Sequence, residues 1–208
     1  MSSPFKLLLR LFIITSAVLW MAHGVQRPIV SAMIPMVRWT LDTVQSDFLI
    51  QSLEIAEDGP NQTLRLRANL SQPVEIGGRT FYPIGYLTRQ VGGYQATLTT
   101  GGVIVYSLVT LIVVLTWPAL QWKEMLKRFA IALPLMVLLI LINVGVTFPA
   151  ELWTPIHNEW VPDVRWPLLE WSKLLMGGAG LAMGLVCGAM AIWSGQVRAE
   201  VASPVFAP

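Results

Sequence analysis

Three stretches of this chain carry no charged side chain and are too long and too apolar to face water: residues 103–120, 129–147 and 174–193. A helix crossing the hydrocarbon core of a bilayer, about 30 Å thick, needs about 20 residues rising about 1.5 Å each. In hydrocarbon a backbone N–H or C=O finds no water, so each must pair within its own segment. The stretches are therefore predicted as helices and not as strands. Composition agrees: 54% of the 208 residues are hydrophobic and 12% charged, about half the charged share of an average soluble domain. The net charge of +2 is too small to suggest a nucleic-acid partner. With a single cysteine, Cys187, no intrachain disulfide can form.

A fourth apolar stretch, residues 11–26, follows Lys6 and Arg10. It is predicted as an N-terminal transmembrane anchor within residues 1–27, with Arg10 reaching back to the interface along its aliphatic stem. The rival reading is a cleaved signal peptide. Lys6 and Arg10 would form its basic region, residues 11–21 its apolar region, and Ala22-His23-Gly24 a small-x-small cleavage site.

The fold class expected is membrane α-helical, with four transmembrane helices. A small β-rich extracytoplasmic domain, residues 28–100, is inserted between helices 1 and 2. Residues 101–195 form a three-helix transmembrane region with a Trp-rich outer loop at 148–173, and residues 196–208 form a cytoplasmic tail. Basic residues set the orientation. Lys6 and Arg10 precede the first helix, Lys123, Lys127 and Arg128 fill the turn between the second and third, and Arg198 follows the fourth. The loop after the third helix holds Glu151, Glu159, Asp163 and Glu170 against Arg165 and Lys173. Both termini are thus expected in the cytoplasm of a bacterial cell, with the chain a multi-pass protein of the inner (plasma) membrane and the lipid bilayer its first partner. Trp20, Trp117, Trp122, Trp153, Trp171 and Trp193 fall at or near predicted helix ends, where amphipathic rings favour the headgroup zone.

Within residues 28–100 the pattern changes. Val30, Met33, Ile34, Val37 and Leu41 lie near helical spacing, and with Pro28 and Pro35 nearby they predict a short interfacial helix. Residues 48–56 read as a strand. Residues 62–70 alternate, with Leu64, Leu66, Ala68 and Leu70 on one face and Arg65, Arg67 and Asn69 on the other. The turn residues Asp58-Gly59-Pro60-Asn61 join the two as a hairpin with a loop of four or five residues. Residues 74–76 and 79–82 around Gly77-Gly78 predict a second hairpin. Residues 94–100 suggest a further strand, with Thr99 or Thr100 capping the next helix. Asn61-Gln62-Thr63 and Asn69-Leu70-Ser71 match the glycosylation sequon, a pattern common by chance.

In the last apolar stretch Gly180, Gly184 and Gly188 recur every four residues, with Gly177 one turn earlier. Such a stripe lets a second helix approach closely and predicts a packing seam, facing either a helix of this chain or another membrane protein. Asn143 carries the only side-chain amide in the three uncharged helices and is expected to bond across helices. An alternative lets Asn143, Thr147, Thr110 and Ser107 line a polar path in a small transporter or channel. Pro134 predicts a bend in the third helix. His157 with Glu159 and Asp163 is the basis of a further alternative, a membrane-embedded hydrolase or metalloenzyme, but a weak metal-ligand pattern because no second histidine or cysteine is near. No metal or cofactor is expected. No nucleophile elbow, phosphate loop or zinc-protease motif is present, so no catalytic residue is assigned.

The layout resembles the small membrane proteins encoded beside bacterial exosortases, in particular the exosortase H-associated type. An anchor helix is followed by a β-rich outer segment, a Tyr106-bearing second helix (residues 98–111), the basic turn Lys127-Arg128-Phe129 and a Trp-rich outer loop before the last helix. The resemblance covers most of the chain. It implies a partner of a sorting protease with no activity of its own. The exosortase enzyme uses a Cys, an Arg and a His at the outer membrane face, and Cys187 is expected too deep for that role. The function expected is therefore a non-catalytic accessory or assembly subunit of an inner-membrane complex.

Overall fold

The computed structural model describes residues 4–58, 61–83, 93–119 and 121–201. Their elements run α1 (Pro4–Val44), β1 (Phe48–Asp58), β2 (Asn61–Leu70), β3 (Val74–Ile76), β4 (Arg79–Phe81), β5 (Tyr94–Thr99), α2 (Thr100–Thr116), α3 (Trp122–Trp160), α4 (Pro167–Leu174), a π-helical turn (Leu175–Ala179) and α5 (Gly180–Val201). They divide into two compact units. One takes residues 4–25, 104–140 and 178–201; the other takes residues 26–103 and 141–177.

Three helical stretches are long and apolar enough to cross a membrane: Phe5–Val44, Trp122–Glu159 and Pro167–Gly195, each containing an 18-residue window whose mean hydropathy is 1.8, 2.7 and 1.9 respectively. The second predicted span is shorter than expected. α2 stops at Thr116 after 17 residues, about 26 Å of helix at about 1.5 Å per residue against a hydrocarbon core of about 30 Å. Pro118 lies two residues beyond its end and disfavours helix at the residue before it.

The first helix corrects the expected domain boundary. Residues 28–44, assigned to the β-rich segment, are the continuation of α1, which runs unbroken for 41 residues through Pro28 and Pro35. A proline removes one N–H, and here tertiary packing outweighs that cost. Val30, Met33, Val37 and Leu41 are all buried on one face, the stripe their spacing predicts. The third helix likewise overruns its predicted end. α3 continues through Pro149 and Pro155 to Trp160, so most of the expected outer loop at 148–173 is helical, and only residues 161–166 separate α3 from α4. Residues 196–201 of the expected tail belong to α5, and residues 202–208 lie outside the described residues.

In the second unit a three-stranded antiparallel sheet has the order β1-β2-β5, and β3 pairs with β4 as a separate hairpin. Leu64, Leu66, Ala68 and Leu70 are buried, as the alternation in β2 requires. In β1 the apolar residues Phe48 and Ile50 are out of phase with Leu53 and Ile55. A bulge between Ile50 and Ser52 absorbs the extra residue, so Phe48 pairs with Leu70, Ile50 with Ala68, Leu53 with Leu66 and Ile55 with Leu64, all on one face. The β1–β2 connection is two residues, 59–60, instead of the expected four or five; both lie outside the described residues. Gly77 and Gly78 turn the β3–β4 hairpin with φ of 59° and 76°, the left-handed pair that a two-residue primed turn needs and that glycine adopts without strain. Thr99 accepts the N–H of Gly102 on its hydroxyl at 3.1 Å and caps α2, while the Thr100 hydroxyl donates to the Gln62 carbonyl.

Candidate functional site: the glycine seam and the polar groups of the helices

In the first unit α5 lies against α2, and glycine makes the approach possible. Tyr106, Val109, Thr110 and Val113 lie on one face of α2 at helical spacing. A Cβ on Gly180 would run into the Tyr106 ring. One on Gly184 would lie 2.6 Å from the Tyr106 carbonyl oxygen, and one on Gly188 would lie 2.7 Å from Val113. The Thr110 hydroxyl donates to the Gly184 carbonyl at 3.0 Å, a bond open only to helices this close. Of the two occupants expected for the glycine face, a helix of this chain or another membrane protein, it is α2 of the same chain that lies against it.

Gly177, expected in this stripe, is not part of it: a Cβ there would meet nothing. The π-helical turn and Gly178, at φ 119°, break the helical phase between Gly177 and Gly180. Gly195, two turns beyond Gly188, extends the seam and was not singled out from the sequence. A Cβ there would lie 2.8 Å from the Arg128 stem. We expect Gly184→Leu to cost about 1–3 kcal/mol by forcing α5 away from α2, and Gly177→Leu to cost far less. Thermal midpoints of the two variants in one detergent check this pair.

Asn143 sits in the second unit. Its amide donates to the carbonyls of Gly102 at 2.8 Å and Val103 at 3.2 Å, and its carbonyl accepts from Thr147. Gly102 and Val103 belong to the first turn of α2, whose carbonyls have intrahelical partners. Asn143 therefore adds second acceptor bonds and ties α3 to α2. Asn143→Leu is expected to cost about 0.6–2 kcal/mol, read as a lower thermal midpoint with unchanged helical content. Ser107 donates to the Met136 carbonyl at 2.7 Å. Thus the four residues weighed as a polar path, Ser107, Thr110, Asn143 and Thr147, are all buried and all bonded to helix backbone or to one another.

Arg128, counted in the sequence only as a basic residue of the turn, is 1% exposed. Its guanidinium donates to the carbonyls of Trp117 at 3.1 Å and Pro118 at 3.3 Å, and forms an ion pair with Glu124 one turn earlier. It closes the chain reversal between α2 and α3. Arg10, expected to reach the interface, remains exposed while donating to the Leu115 carbonyl at 3.2 Å.

Of the six tryptophans expected at a membrane interface, Trp20, Trp117, Trp122, Trp171 and Trp193 are exposed. Trp153 is not, and this corrects its assignment. It is 2% exposed, edge-on to Phe48 at 4.8 Å and tilted against Trp166 at 4.6 Å. Phe48 in turn meets Tyr94 edge-on at 5.8 Å. α3 thereby supplies the aromatic core under the sheet.

His157, Glu159 and Asp163 are not gathered into a site. The Nε2 of His157 donates to the Val164 carbonyl at 2.8 Å; a carbonyl only accepts, so that nitrogen carries the hydrogen. This bond closes the α3–α4 connection, against which Gly77 of the β3–β4 turn abuts at Val161 and Val164. Glu159 and Asp163 stand exposed. Among the described residues no group of three or more His, Cys, Asp or Glu is placed to hold a metal ion. Cys187 is free and half-buried on α5. The chain matches no protein family, no characterised protein and no solved structure, so the likeness to exosortase-associated proteins stands on sequence layout alone.

Proposed function

We propose that this chain is a non-catalytic accessory or assembly subunit of a bacterial inner-membrane complex, the complex being of the exosortase protein-sorting type that its layout resembles. The observation that carries this reading is where the polar groups of its helices are directed. Ser107, Thr110, Asn143, Thr147 and Arg128 bond to helix backbone or to neighbouring side chains, so they hold helices together and present no chemistry to a substrate. Among the described residues the groups left outward on the helices of the first unit are mainly apolar: Phe5, Phe12 and Trp20 of α1, and Leu185, Val186 and Met190 of α5. These faces, and not the glycine seam, are the surfaces for lipid or for another membrane protein.

On this reading α2 makes a fourth crossing beside the three long helices, the sheet-bearing unit stands on the outer face, and both termini are cytoplasmic. The short α2 is accommodated because Arg128 and the Trp117–Pro118 reversal lie at the interface and a bilayer thins locally around a short span. Purification from native membranes in mild detergent, followed by native mass analysis, tests the role. A second membrane protein in fixed stoichiometry, identified as a sorting protease, is the expected result; a lone monomer overturns the reading.

A further inference from the structure

We draw no further inference here: the strongest candidate, the open apolar groove between the end of α2 and α5 walled by Val113, Trp117, Ala189, Ile192 and Trp193, carries nothing because nothing in the structure shows what covers it.

Discussion

Trp153→Ala is expected to destabilise the sheet-bearing unit by about 3–5 kcal/mol, the range for removing a large buried aromatic from a well-packed core. Among the described residues the indole is the largest side chain buried to this degree, and it touches both Phe48 and Trp166. Phe48 opens β1 and also meets Tyr94 of β5. A cavity at Trp153 therefore loosens both outer strands of the sheet together with the segment leading into α4. Hydrogen exchange is the direct measurement: amides of β1 and β5 should lose protection in Trp153→Ala, while Trp171→Ala, which removes an exposed ring, should leave them unchanged. Trp153→Phe should recover part of the loss, because a smaller ring still fills part of the space. Equal protection in the 153 and 171 variants would show that the indole is not the core of this unit.

Arg128→Met is expected to cost a comparable 3–5 kcal/mol, by a different route. Removing one partner of a buried ion pair takes from the other its compensating charge in a low-dielectric site. Here Glu124 is 13% exposed at its side chain, and the Trp117 and Pro118 carbonyls lose their donors at the same time. Arg128→Lys should restore only a fraction, since a single ammonium cannot reproduce a planar fork reaching three acceptors. The double variant Glu124→Gln/Arg128→Met should be more stable than Arg128→Met alone, because it removes the largely buried charge that has lost its guanidinium partner. Thermal midpoints of the four proteins in one detergent decide the matter. A double variant no better than the single one would mean that the carbonyl contacts, and not the ion pair, account for the loss.

Apolar length was legible in the sequence to the extent that lipid or protein interior demands it. The cores of α3 and α5 fall within their uncharged stretches, and the alternation of Leu64, Leu66, Ala68 and Leu70 gave the buried face of β2. α1 and α3 both run past their expected ends, for a common reason. Prolines and charged residues punctuate a sequence locally, but α1 passes through Pro28 and Pro35 and α3 through Pro149 and Pro155, because the packing gained beyond them exceeds the loss of one N–H each. In β1 the apolar residues follow no single alternation, and only pairing with β2 shows that a bulge restores the phase. The glycine seam was legible as a spacing, since small residues four apart must lie on one helix face. What covered it was not, because that depends on which helix arrives there. Gly177 matched the spacing and fell outside the seam for want of a regular turn between it and Gly180.

By itself the sequence determined which segments cannot live in water and which faces of them are small or polar, because transfer free energy and helical or strand periodicity are properties of the chain alone. Tertiary structure decided the partners. It gave Tyr106, Val109 and Val113 to the glycines, Phe48 and Trp166 to Trp153, and the ends of α2 to Arg128 and Asn143. A side chain records in its chemistry that it needs a neighbour; which neighbour it finds depends on how residues remote along the chain come together on folding.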